Sequence, residues 1–170
     1  MIIRRAMEKQ LTEAVLAAIK NVIKTMLQQE ATHTEPYVKK KPIAFGEVSS
    51  YIYLVDEHNK YSVAVSFPHD VIRLIARKML PPNTVLTGEV IKDLTQEMAN
   101  MFAGGAKSSL EDAGIKLQMS LPRLIAGKNH IIKHVSETGI LMIPLMCDFG
   151  PFFVEICKAQ QKQNEVKAAG

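Results

Sequence analysis

Residues 93–110, DLTQEMANMFAGGAKSSL, have the spacing of an amphipathic helix. Glu97, Asn100 and Gly104 follow one another at intervals of three and four residues, so at about 3.6 residues per turn they lie on one face. A second face collects bulky apolar side chains, namely Leu94, Met98, Met101 and Phe102. The stretch therefore predicts a helix that packs against a core by its apolar side and leaves its polar side exposed.

The polar face loses all bulky side chains in its C-terminal half, where two alanines enclose Gly104 and Gly105. A glycine inside a helix costs about 1 kcal/mol relative to alanine, so two in succession need a reason. Gly105 lies toward the apolar side, and we interpret it as a small residue needed for tight packing of the helix onto a sheet. Gly104 lies one turn beyond Asn100 on the polar side, where a missing side chain lets a protein surface or a phosphate approach the backbone.

Two further helices are predicted upstream of this stretch. Apolar residues recur with a helical period over residues 6–29, and residues 68–79 form a short helix that a pair of prolines ends. The helix that contains the opening stretch extends over residues 85–113, with Gly114 as its C-terminal cap.

Strand patterns occupy much of the remaining chain. Alternation at residues 51–56 and 61–67 predicts a hairpin, and a polar, proline-bearing linker at 30–42 precedes it. Branched and apolar segments predict the other strands, at residues 115–119, 131–135, 140–147 and 152–157. The order of elements predicts an α+β fold, with two long helices packed on one face of an antiparallel β-sheet.

Length and composition are typical of one globular domain, which we place at residues 1–158 of the 170. The remaining segment, 159–170, has no apolar stripe, and we expect a frayed or disordered tail. No apolar run approaches the roughly 20 residues needed to cross a bilayer, and the first residues lack a hydrophobic signal-peptide core. We therefore expect a cytoplasmic protein without membrane association.

Charge and cysteine content argue against nucleic-acid binding and against a disulfide bond. The net charge of +4 is mild, and we interpret the basic run at residues 39–41 as part of a solvated linker, so nucleic-acid binding is not expected. Cys147 and Cys157 would not face each other across a hairpin turned between them. We expect no disulfide, and interpret both as small buried hydrophobes in a reducing compartment.

His130 and His134 have the separation of a zinc-binding pair on a helix, but the apolar residues around them favour a strand. Four residues along a strand span about 13 Å, too far for both imidazoles to bind one metal. We therefore predict two solvent-facing strand residues and no metal site. The other histidines stand near no serine or cysteine that they would obviously activate, so nucleophilic catalysis is not supported.

Glu97 and Asn100 are the candidates for chemistry, because their spacing directs both side chains toward one neighbour. An amide is no base at neutral pH, but it can hold a water by accepting one hydrogen bond and donating another. A glutamate one turn away could bind a cation on a partner. On spacing alone, a solvated helix face is the favoured interpretation of this pair.

The surrounding pattern resembles the CheC, CheX and FliY family of chemotaxis phosphatases, and the likeness extends over residues 6–158. The matching residues are Asp93, Glu97, Asn100, Met101, Ala103, Gly104, Lys107 and Pro122. CheC-like members carry the acidic-and-Asn motif on two helices and CheX-like members on one. In this chain Glu8 and Glu13 of the first helix lack an asparagine three residues later, so the resemblance is to CheX.

This resemblance implies hydrolysis of the aspartyl phosphate on a CheY-like response regulator, which terminates the chemotaxis signal. It implies that Asn100 orients the attacking water and that Glu97 pairs with the regulator's lysine. The remaining residues of the stripe would contact the partner, namely Asp93, Gly104, Lys107 and Ser108. Mg2+ would come with the response regulator, so the chain would need no cofactor of its own.

The resemblance also implies a homodimer built through the sheets. Two other functions stay open at this stage. The chain could be a non-catalytic adaptor that binds a receiver domain, or a structural module that binds flagellar-switch components. In either case Asn100 would be replaceable without functional loss.

Overall fold

The computed structural model describes the backbone of residues 2–161 and the side chains of residues 7–161. Along this part of the chain one long helix precedes four strands, and two further helices precede another four strands. The helices are α1 (Ile2–Val22), α2 (His69–Met79) and α3 (Gly88–Asp112), and α1 continues into a π-helical turn at Ile23–Leu27. The strands are β1 (Thr32–His33), β2 (Tyr37–Val38), β3 (Val48–Val55), β4 (Asn59–Phe67), β5 (Gln118–Met119), β6 (Arg123–Ala126), β7 (Leu141–Cys147) and β8 (Gly150–Gln160). No helix within residues 2–161 is both long enough and apolar enough to span a membrane.

The strands form one antiparallel sheet in the order β1, β7, β8, β4, β3, β5, with β2 also paired to β7 and β6 also paired to β3. Its centre joins two long hairpins, β3–β4 and β7–β8, through the β4–β8 pair. The buried sides of α1 and α3 share one hydrophobic core with the sheet. The predicted α+β fold, with two long helices on one face of an antiparallel β-sheet, is confirmed.

Successive side chains of the central strands point to opposite faces of the sheet, so each face has its own hydrophobic cluster. Val63 and Val65 of β4 belong to the core beneath the helices, whereas Ala64 between them packs with Tyr51 and Ile132 in a smaller cluster on the opposite side. We call this opposite side the outer face. Connecting segments rather than helices cover it.

Helix α3 is capped at both ends. The hydroxyl oxygen of Thr87 accepts a hydrogen bond from the backbone N–H of Val90 at 3.3 Å, which caps the N-terminus. At the other end Gly114 has a φ of +87°, its N–H donates to the Glu111 carbonyl, and the N–H of Ile115 donates to the Leu110 carbonyl. The predicted cap at Gly114 is confirmed, while the helix starts three residues later than the predicted position 85.

The strand predicted at residues 131–135 is wrong. Ile131 makes an isolated bridge with Ile43, and Ile132 is buried in the cluster on the outer face. The apolar pattern there arises because the segment covers the sheet, not because it joins the sheet. The edge strand β6 was not predicted, since its residues are exposed or half-buried and do not alternate.

The predicted linker at residues 30–42 contains the short edge strands β1 and β2, which pair with β7. The interpretation of Lys39 as solvated is wrong, because its side chain is only 2% exposed and its ammonium lies 2.6 Å from the Glu155 carboxylate. The neighbouring Lys40 and Lys41 are exposed, as expected of a surface segment.

At the C-terminus, β8 continues to Gln160, so the first two residues of the predicted tail belong to the sheet. The N–H of Gln161 donates to the His58 carbonyl at 2.9 Å, and residues 162–170 of the predicted tail lie outside the described residues.

Both cysteines are buried and unpaired as thiols, as predicted. Burial raises the pKa of the Cys147 thiol and that of the Cys157 thiol, although nearby backbone groups oppose the shift in each case. The thiols therefore act as small apolar side chains in the packing of β7 and β8.

Candidate functional site

The site residues predicted on α3 form one exposed line. Asp93 and Glu97 are exposed, and Asn100 and Gly104 are half-buried. On a helix of about 3.6 residues per turn these positions fall within one narrow sector, and we call them the polar ridge. The buried side of α3 is opposite and consists of Ile91, Leu94, Thr95, Met98, Ala99, Phe102, Ala103, Ala106 and Leu110. Met101, predicted among the buried side chains, is half-buried between the two sides.

The side chains of the polar ridge are uncommitted. Within residues 7–161, the structure gives Asp93, Glu97 and Asn100 no side-chain hydrogen bond and no ion pair. Two carboxylates separated by one turn make the N-terminal half of the ridge acidic, and the Asn100 amide keeps both its donors and its acceptor available. The ridge can therefore bind a cationic group and a polar small molecule at neighbouring positions.

The two adjacent glycines have different surroundings. A Cβ at Gly104 would have no heavy atom beyond its own helix within 4 Å, so the position is open, as predicted. A Cβ at Gly105 would lie 2.9 Å from the Cβ of Ala18. Gly105 is thus the predicted packing residue, but it permits close approach to α1 rather than to the sheet.

Lys107 and Ser108 continue the same side of α3 toward its C-terminus. The Lys107 ammonium lies 2.6 Å from the Glu111 carboxylate one turn further on. Ser108 is exposed, and no side-chain hydrogen bond to it occurs among the residues described. Lys107 would have to leave an intrahelical ion pair before it contacts a partner, whereas Ser108 would not.

The connection from β5 to β6 lies against one flank of the polar ridge. The side-chain amide of Gln96 donates a hydrogen bond to the Pro122 carbonyl at 3.3 Å, which ties this connection to α3. Gln96 was missed by the sequence analysis, although its place one turn before Asn100 on the polar side was visible. Its partner could not be identified, because it lies 26 residues further along the chain.

The two histidines lie on the outer face and are not solvent-facing strand residues, so that prediction is wrong. His130 contacts the Ser49 hydroxyl through Nε2 at 2.6 Å and the Gly127 carbonyl through Nδ1 at 2.7 Å. The His134 side chain is 2% exposed and lies between the Ser62 hydroxyl and the Glu155 carboxylate, each at 2.8 Å. Both rings hold the segment that follows β6 against the sheet.

Glu155 is the centre of this outer cluster. One carboxylate oxygen lies 2.6 Å from the Lys39 ammonium and the other 2.8 Å from His134. The side chain of Glu155 is 1% exposed, so the group is closed to a substrate. The cluster lies across the sheet from the polar ridge, which leaves the ridge as the candidate site.

Comparison with known proteins agrees with this fold. The family model described as chemotaxis phosphatase CheX matches residues 48–146, a range that contains α3 and the β5–β6 connection. No curated protein matches the chain.

Solved structures are similar over nearly the whole described chain. CheX from Desulfovibrio desulfuricans is 29% identical, with a TM-score of 0.78 over 88% of this chain and 99% of that one. CheX from Vibrio vulnificus is 34% identical, with a TM-score of 0.76 over 88% of this chain and 99% of that one. CheX from Borrelia burgdorferi, in a complex with CheY, BeF3 and Mg2+, is 21% identical and has the same fold, with a TM-score of 0.67 over 86% and 96%. The chain belongs to the CheX family of chemotaxis phosphatases.

Proposed function

We propose that this protein hydrolyses the aspartyl phosphate of a CheY-like response regulator and thereby terminates a chemotaxis signal. The polar ridge carries the proposal, because Glu97 and Asn100 lie one turn apart on the exposed side of α3, beside the open position at Gly104. Membership of the CheX family supports this activity. The complex of the Borrelia burgdorferi CheX with CheY supports a receiver domain as the partner.

In this mechanism Asn100 enters the active site of the receiver and holds the attacking water. The amide oxygen accepts a hydrogen bond from the water and the amide N–H donates one to it, which fixes the water in line with the phosphorus–oxygen bond that breaks. The products are inorganic phosphate and the free aspartate of the receiver. Mg2+ belongs to the receiver in this proposal and neutralises charge on the phosphoryl group there.

Glu97 sets the position of Asn100 by pairing with a lysine of the receiver. A charge-assisted hydrogen bond of this kind is strong and directional, and the two side chains share a rigid helix. Gly104 allows the receiver to approach the backbone, while Asp93 and Ser108 extend the contact along α3. Lys107 joins it once released from Glu111. A homodimer, which the resemblance also implied, stays a prediction.

The test is the decay of a phosphorylated CheY-like receiver, with Mg2+ present, alone and with the native chain, Asn100→Ala or Asn21→Ala. Asn21 is an exposed helical asparagine on α1 and serves as the matched control. Orienting one water contributes about 1.4–4 kcal/mol, so we expect Asn100→Ala to lose roughly ten- to a thousandfold of the acceleration. Asn21→Ala should keep it.

Two outcomes contradict the proposal. If the native chain binds a receiver but accelerates no decay across several candidates, the protein is an adaptor. If Asn100→Ala accelerates decay as well as the native chain does, another residue positions the water. Circular dichroism of each variant checks that the helix content is unchanged.

A further inference from the structure

Leu121, in the connection between β5 and β6, is the most exposed large apolar side chain among the residues described, at 85%. Scattered apolar residues on a surface need no explanation by themselves. This one differs because of how firmly its backbone is held and because of what lies beside it.

The backbone on both sides of Leu121 is anchored. The Ser120 N–H donates to the Tyr53 carbonyl at 2.9 Å, and the Ser120 hydroxyl accepts from the Tyr53 N–H at 3.0 Å. The same hydroxyl donates to the Leu121 carbonyl at 3.0 Å, and the Pro122 carbonyl accepts from Gln96. An apolar group presented by a fixed backbone loses little conformational entropy when a partner covers it.

The connection that carries Leu121 borders the polar ridge. Gln96, which holds Pro122, lies one turn before Asn100 and three residues after Asp93, so the connection follows the flank of the ridge. A stable protein interface covers about 800 Å2 on each partner, far more than four helical positions offer. A domain that covers the ridge must therefore extend beyond it, and the connection that carries the exposed Leu121 lies along one flank.

Resting on the proposed function, we infer that Leu121 is an apolar anchor for the phosphorylated receiver domain and seats in an apolar depression beside the receiver's active site. Asn100 and Leu121 therefore have different effects on the kinetics. Asn100 acts on the reacting atoms and governs the rate at saturation, whereas Leu121 touches none of them and governs affinity and the choice of receiver.

The test is saturation kinetics of receiver dephosphorylation for the native chain, Leu121→Ser and Leu121→Met. The matched control is Val38→Ser, an exposed apolar residue at 60% on β2, at the opposite edge of the sheet. Burial of most of a leucine side chain corresponds to about a tenfold change in affinity. We expect Leu121→Ser to raise KM about tenfold at constant kcat, and Leu121→Met and Val38→Ser to behave as the native chain does.

An active native chain with an unchanged KM for Leu121→Ser overturns this inference and leaves the proposed function standing. A change in the oligomeric state of Leu121→Ser in light scattering, with KM unchanged, assigns the leucine to a second copy of this chain and also overturns it. If the native chain accelerates no decay, the proposed function falls, and this inference falls with it.

Discussion

Gly104 and Gly105 are adjacent in α3 but have different surroundings. Gly104 leaves the polar ridge open, and Gly105 lets α1 and α3 approach each other at Ala18. Sequence spacing placed Gly104 on the open side of α3 and Gly105 on the packed side, because a shift of one residue rotates a side chain by about 100° around the helix. Sequence spacing could not show that Gly105 packs against α1, since the pairing of helices depends on the complete fold.

The two glycines should respond oppositely to alanine. Gly104→Ala adds a methyl group to open space and removes the helical cost of glycine, so we expect up to about 1 kcal/mol of stabilisation and a Tm higher by roughly 2–4 °C. Gly105→Ala places a Cβ 2.9 Å from that of Ala18, which forces the helices apart. We expect its Tm to fall, as measured by thermal unfolding followed by circular dichroism. Equal stabilisation by both would show that the helices are not tightly packed there.

At the level of secondary structure, α3 carries the polar ridge, and the caps at its two ends fix its length. The left-handed Gly114 stops the helix and redirects the chain toward β5, and Thr87 caps its start. The glycine was recognisable in the sequence because a left-handed C-terminal cap strongly favours that residue type. The start was misplaced because apolar residues precede Thr87 and hide the boundary.

Gly114→Ala should destabilise the protein without changing its chemistry. An alanine at a φ of +87° is strained, which costs about 1–2 kcal/mol. The site is distant, since 12 residues of helix, about 18 Å along the axis, separate Asn100 from Asp112 at the end of α3. We expect a lower midpoint in urea unfolding and an unchanged kcat/KM for the receiver below that midpoint. Gly88→Ala, at the open first position of α3, is the control that should not lower the midpoint and should leave kcat/KM unchanged.

At the scale of the whole molecule, local periodicity was enough to predict the helices, the β3–β4 hairpin and the fold class. It also placed Glu97 and Asn100 on one helix face. The roles of these two residues are implied only by the resemblance to a known family. The outer face was not predictable in this way. Lys39 and Glu155 are 116 residues apart, and nothing in the neighbourhood of either residue indicates that they meet. A buried polar side chain depends on a partner that only the tertiary fold provides.

Glu155 connects two of the segments that cover the outer face. Its carboxylate binds Lys39 from the segment before β3 and His134 from the segment before β7. Glu155→Ala would leave the buried ammonium without its counter-charge, and breaking such a pair costs about 3–5 kcal/mol.

We expect that loss as a lower free energy of unfolding in urea, followed by circular dichroism. Glu57→Ala, an exposed glutamate in the β3–β4 turn, should change the stability by less than about 0.5 kcal/mol. Because the outer face lies across the sheet from the polar ridge, folded Glu155→Ala protein should keep the native kcat. A stability loss no larger than that of the control would mean that packing of Ile132 and Ala44, rather than the charged cluster, holds the cover in place.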